Sequence, residues 1–192
     1  RPPRRLESPR FGRFWYRNAP ISLICNKPRP LPSTPSSRPR RARATAADAA
    51  AAPAVSVRPV RRADLPQVIA LDATVTGLEK QAYWRRVYNR YGVGGKNQRH
   101  FLVAVAGGRI VGFLIGEVRD WEFGSPPCGW VFAIDVDPDA RQAGVGTRLL
   151  AAICVGFRSA GVTKVRTMLS RDNRLILSFF RSQGMTAGAL IP

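Results

Sequence analysis

The stretch Val131 to Leu150, VFAIDVDPDARQAGVGTRLL, constrains the fold more than any other part of the chain. An apolar segment runs through a short turn into a glycine-containing corner, Arg141-Gln142-Ala143-Gly144-Val145-Gly146, and then into helical periodicity. A strand that ends in such a corner and restarts as a helix turns several backbone N–H groups toward one point. That point, a helix N-terminus, attracts phosphate. A bare Gly-x-Gly means little: at a glycine frequency of ~7%, a chain of this size holds roughly one by accident. Gly92-Val93-Gly94 is of that kind, since it follows a helix and precedes a polar loop. The second copy has a strand before it and a helix after it, which is the context phosphate binding requires. The Rossmann spacing fails because Leu149 stands where its third glycine belongs. No Gly-Lys-Ser/Thr phosphate loop is present.

The elements on either side extend the pattern. Val55 to Val60 alternates as a strand, and Asp64 is placed to cap a helix with Pro66 in its first turn. Leu78 to Tyr91 reads as an aromatic-rich second helix. Phe101–Ala106 and Ile110–Val118 read as strands joined through Gly107-Gly108, a two-residue hairpin turn. Trp130–Val136 is a strand. Val145–Ala160 is a helix with Leu149, Ile153 and Phe157 on one face, ended by Gly161. Val162–Leu169, Arg174–Ser182 and Met185–Ile191 read as strand, helix and strand. The order β-α-α-β-β-β-α-β-α-β predicts an α/β fold, a mixed central sheet with helices on both faces.

Charge divides the chain in two. The net charge is +19, of which residues 1–54 carry +10 from 12 basic and two acidic residues. Ten of the sixteen prolines lie there, with Arg/Ser clusters and an alanine run. Such a composition predicts a segment without folded structure that reads as an organellar transit peptide, with a basic tail as the alternative. Its Pro/Ser content favours chloroplast over mitochondrion. Residues 55–192 form the folded domain. No run of 18 apolar residues predicts a membrane span. Cys25, Cys128 and Cys154 match neither a disulfide framework nor a metal site, and Cys154 reads as a core residue.

Val136-Asp137-Pro138 followed by Arg141 to Gly146 resembles motif A of the GNAT N-acetyltransferase superfamily. Asp172-Asn173, then Phe179-Phe180-Arg181-Ser182-Gln183-Gly184-Met185, resembles its motif B. The resemblance extends from Val55 to the end of the sequence and is to plant plastid members in particular. It implies acetyl-CoA as acyl donor and no metal. Backbone N–H groups of Gln142, Ala143, Gly144, Val145, Gly146 and Thr147 would cradle the pyrophosphate, aided by the helix dipole. Gly144 and Gly146 would let the ligand approach closely. Arg141 adds charge, whereas Arg148 reads first as a solvated surface residue. The strand Phe132–Val136 would splay from its parallel neighbour, leaving Ile134 and Val136 to pair with the pantetheine arm. Asn173 would bond that arm, or cap its own helix, or both.

The resemblance leaves the proton chemistry open. Attack of an amine on a thioester needs a proton acceptor and favours a donor to the leaving sulfur. Phe180, also a cofactor contact by resemblance, stands where many relatives carry an acidic Tyr. Met168 stands where N-terminal acetyltransferases carry a Glu base. Glu117 is therefore the favoured base, against a reading as a solvated strand-end charge. Asp120, Glu122 and Asp135 are the other candidates, and His100 is expected at the surface. Trp121 and Phe123 are placed to line an acceptor groove, while Tyr83, Trp84 and Tyr88 read as core. The expected acceptor is a protein or peptide amine, a lysine side chain or an N-terminus. The alternatives are a small-molecule amine, or a CoA-binding module without catalysis. Nucleic-acid binding is disfavoured, since residues 55–192 carry only +9 and no recognised motif. Relatives carry one more strand beyond the last read here, so the sequence reads as a fragment.

Overall fold

The computed structural model describes residues 20–25, 54–93 and 98–188, the first of these by backbone alone. Its strands are β1 (Pro20–Cys25), β2 (Ser56–Pro59), β3 (Arg99–Ala106), β4 (Arg109–Arg119), β5 (Cys128–Val136), β6 (Val165–Ser170) and β7 (Thr186–Ala187). Its helices are α1 (Leu65–Thr76), α2 (Gln81–Val87), α3 (Val145–Ser159) and α4 (Arg174–Ser182). The strands form one sheet in the order β2-β3-β4-β5-β6-β1-β7. All neighbours are antiparallel except β5 and β6, which are joined through the α3 crossover as parallel pairs require.

One strand, β1, falls within residues 1–54, the segment whose composition reads as unfolded. PISLIC is a short apolar run with two β-branched residues, and that suffices for a strand inside a proline-rich context. Pro20, which has no N–H to give, sits at the strand's first position. β1 pairs from Pro20↔Ser170 to Cys25↔Val165 along β6, and its other edge carries β7.

Each face of the sheet has its own core. One face packs Leu114, Val131, Phe180 and the α3 residues Leu149, Ile153 and Phe157. The other packs Phe101, Val103, Phe113 and Ile115 against Val68, Leu71 and Trp84 of α1 and α2. Trp84 is thus core, as its helical spacing predicted, but Tyr83 beside it is exposed. Cys154 is buried, as expected. Gly107 and Gly108 take positive φ in the hairpin turn. β6 begins only at Val165, because Val162 is drawn back to α3 by a bond from its N–H to the Phe157 carbonyl. His100, expected at the surface, is half-buried with its ring edge-on to Phe157 at 5.4 Å.

Asp64 does not cap α1 directly. Its carboxylate accepts the Arg61 N–H at 2.7 Å and a bidentate bond from Arg58, closing the 3-10 turn that leads into the helix. Asp72, buried in α1, is the tie between α1 and α2. It accepts hydrogen bonds from Lys80 Nζ and Trp84 Nε1, both at 2.9 Å. Asp72→Ala leaves the buried indole N–H without an acceptor and is expected to cost about 2–3 kcal/mol in denaturant unfolding. Asp72→Asn, which keeps one acceptor, costs less.

Candidate active site

β5 ends at Val136, and Asp137 organises the corner. Its Oδ1 accepts the Asp139 N–H at 3.1 Å, and its Oδ2 pairs with Arg109 at 3.1 Å. Gln142 and Gly144 then take the left-handed region, φ 70° and 74°, and turn the chain into α3. Gly144 contributes its backbone conformation, since a Cβ there would meet nothing within 4 Å. Gly146 has a packing role as well. A Cβ there would lie 3.0 Å from the Phe179 ring, so its bareness lets α4 close on α3. The Gly144 carbonyl takes the Arg148 N–H at 3.0 Å. The N–H groups of Val145, Gly146 and Thr147 precede that bond and have no partner within the helix. Arg148 is exposed, as its surface reading had it.

β5 and β6 pair over three rows only, Gly129↔Val165, Trp130↔Arg166 and Val131↔Thr167, and then part. Phe132 is the extra residue of a β-bulge, because Ile115 pairs with Ala133 and Gly116 with Val131. Beyond the bulge, the Asp137 N–H donates to the Val111 carbonyl of β4 at 3.0 Å. By alternation, the backbone groups of Ile134 and Val136 face away from β4 into the gap. Arg141 Nε lies 3.4 Å from the Val136 carbonyl, which fits that direction. Asn173 caps α4, its Oδ1 accepting the Ile176 N–H at 3.2 Å. α3 and α4 both start at the C-terminal ends of β5 and β6. The gap, the N–H groups of α3 and Asn173 therefore share one mouth, where open α/β sheets bind ligands. A separate hollow of about 590 Å³ lies between α1 and the turn after α2, lined by Leu65, Ile69 and Tyr88 among others, away from this mouth.

A model of the Acetyltransferase (GNAT) family matches residues 66–185, which take in both the corner and α4. The chain belongs to this family. Among its relatives is an L-2,4-diaminobutyric acid acetyltransferase of Nocardia farcinica, 34% identical over 88 residues, 46% of this chain and 44% of that protein. A mycothiol acetyltransferase of Saccharomonospora viridis is 34% identical over 87 residues, 44% of this chain and 28% of that protein. The chain thus matches less than half the length of either. Aminoglycoside N-acetyltransferase AAC(6')-Iy in complex with CoA shares the fold, with a TM-score of 0.64 at 19% identity over 73% of this chain and 93% of that one.

The candidate chemical groups fall on different faces. Phe180 is buried in the α3-side core, its ring edge-on to Phe179 at 5.1 Å, and carries no proton to give. Met168 is half-exposed on the opposite face of β6. Glu117 is not the solvated strand-end charge of the simplest reading. It is buried, accepts from Tyr91 Oη and Arg119 Nε at 3.2 Å each, and has Arg90 and Arg99 at 3.9 and 4.0 Å. A π-type turn after α2, Tyr88–Gly92, carries Tyr91 to it. Asp120 and Glu122 are exposed, as is Trp121; the Phe123 side chain lies outside the described residues.

Asp135, one of the other carboxylates considered from sequence, lies nearer the gap. It pairs across the sheet with Phe113, on the α1/α2 face of β5 beside the gap. Burial raises its carboxyl from the ordinary 3.8 to about 6, and the Asp72 charge adds to the rise against Lys80 and Arg141. The signal available in sequence was its place in the strand that enters the corner. Because its proton is held more tightly in the folded chain than in the unfolded one, Asp135 favours folding most below about pH 4 and loses that contribution as pH rises to about 6. Asp135→Asn is therefore expected to be more stable than the parent above pH 6, by roughly 1–3 kcal/mol, with the difference opening between pH 4 and 6 in denaturant titrations.

Proposed function

We propose that this chain is an acetyl-CoA-dependent N-acetyltransferase whose acceptor is a small-molecule amine. The observation that carries the reading is the gap between β5 and β6, where the β5 edge and the first N–H groups of α3 have no backbone partner among the described residues. A pantetheine arm adds to the edge as a strand would. The pyrophosphate takes the N–H groups of Gln142 to Thr147 at the positive end of α3, with Arg141 beside them. Asn173 uses its Oδ1 in the cap and keeps its amide nitrogen for the arm. The relatives named for diaminobutyrate and mycothiol, and neighbours named for aminoglycosides, support a small amine over the protein amine expected from sequence.

Acetyl-CoA supplies a thioester whose carbonyl carbon the acceptor nitrogen attacks, the C–N bond forming as the C–S bond breaks. Asp135 takes the proton the nitrogen sheds, directly or through one water. Its value near 6 leaves it ionised at neutral pH and still able to hold that proton. Glu117, already engaged by Tyr91 and arginines, orders the acceptor face instead. With Phe180 and Met168 in the usual donor and base positions, the leaving sulfur takes its proton from solvent. We further propose that the basic N-terminal segment directs the chain to an organelle, the chloroplast before the mitochondrion. Processing would fall ahead of Pro20, because removal up to Val55 takes β1 out of the sheet.

Incubation with acetyl-CoA and a panel of diamino acids, aminoglycosides and lysine peptides, read by mass spectrometry, tests the assignment. Acetylated small amines are expected. Products on peptides alone overturn the acceptor class, and CoA binding without any product overturns the enzyme. The pH profile of kcat should fall below about pH 6 as Asp135 protonates. Asp135→Asn should lower kcat by about a hundredfold or more and remove that limb.

A further inference from the structure

Four strands place Arg99, Glu117, Trp130 and Arg166 in one row across the sheet, each paired in register with the next. The row lies on the α1/α2 face, in line with Phe101 and Ile115 of that core. It stands one step before β5 and β6 part. Just past it, Phe132 packs against Tyr91 at 5.1 Å between ring centres, and Met168 lies half-exposed on β6. The row is therefore the floor from which an acceptor reaches the gap, on the side away from α3 and α4.

Positive charge exceeds negative on this floor. Glu117 serves Arg90, Arg99 and Arg119, and Glu122 lies 3.7 Å from Arg119. With Arg166, four guanidinium groups face two carboxylates. Arg119 lies over the Trp130 ring at 4.6 Å, which holds it in place. Arg166 differs from the other three. It enters no ion pair among the described residues, and its Nε is buried with no hydrogen-bond partner. A buried donor left unpaired costs on the order of 1–3 kcal/mol, and a charged one costs more. Native proteins seldom keep such a group without a use for it.

We infer that Arg166 binds a carboxylate on the acceptor, so that the amine acetylated here belongs to an amino-acid-like molecule and not to a polycation. The inference rests on the acetyltransferase reading for its turnover and adds the acceptor's second group. A guanidinium presents planar paired donors that match a carboxylate. Trp130 gives the acceptor's carbon chain an apolar floor. Arg90, Arg99 and Arg119 disfavour acceptors that bring several ammonium groups. One strand residue, ~3.3 Å, separates the Arg166 row from the last paired row, which puts the guanidinium at the closed end of the gap.

Ornithine against putrescine, and lysine against cadaverine, test this, each pair sharing an amine and differing in the carboxylate. The kcat/KM of the amino acid is expected to exceed that of its diamine by about ten- to a hundredfold. Arg166→Gln should bring the ratio near one through KM, and Arg166→Lys should keep part of it. Equal or better use of the diamines overturns the inference while leaving the acetyltransferase standing. Calorimetric binding of ornithine and putrescine to the CoA-loaded protein reads the same subsite without turnover. Tighter ornithine binding that Arg166→Gln abolishes supports the inference even if nothing is acetylated, an outcome that overturns only the enzymatic reading. Absence of any preference in binding and turnover overturns the inference.

Discussion

β5 and β6 run side by side for three residues and then separate, and the features of functional interest depend on that separation. Its closed end is held from the α3 side. Gly129 lets the Phe157 ring lie directly against β5, and Val131 joins the same buried cluster. The open end follows from the bulge at Phe132, which adds a residue to β5 and sharpens its twist just where the ladder to β6 stops. α3 is the crossover between these two strands, so its N-terminus necessarily sits at the open end. One topological fact thus supplies, among the described residues, an unpaired strand edge and a cluster of helix N–H groups without backbone partners at the same mouth.

Much of this was legible in the sequence because the signals are local. The spacing of Leu149, Ile153 and Phe157 set the buried face of α3, and Gly144 set the corner. Asn173 caps α4 as one of its two readings required. What escaped is what depends on residues far apart in the chain. No local pattern marks Phe132 as the extra residue of a bulge, since the count is made against β4. The arginines around Glu117 come from β3, β4 and the turn after α2, and converge only in the folded sheet. The packing role of Gly146 shows only once α4 is in place and Phe179 takes the space beside it. β1 lies in a proline- and arginine-rich stretch whose average composition hides a six-residue apolar run.

The two faces of the sheet divide the work. The α3/α4 face is apolar and closely packed, and it fixes the corner and the mouth. The α1/α2 face grades from a packed core around Trp84 and Phe113 to a half-open floor of arginines, aromatics and one buried glutamate. Asp135 lies at the join, close enough to Asp72 and Lys80 to feel both charges. On the same face, the Asp135 carboxyl is raised to about 6 by burial, and the buried Nε of Arg166 has no hydrogen-bond partner among the described residues.

The central claim is that the separated edge of β5 and the start of α3 together hold CoA. Backbone amide spectra of ¹⁵N-labelled protein, recorded as CoA is added, address it residue by residue. The account predicts that Ile134, Val136, Val145, Gly146 and Thr147 shift together, with one shared Kd, while amides of β2 and α1 stay in place. CoA binding that leaves those five amides unmoved, or shifts chiefly the residues around Ile69 and Tyr88, would contradict it.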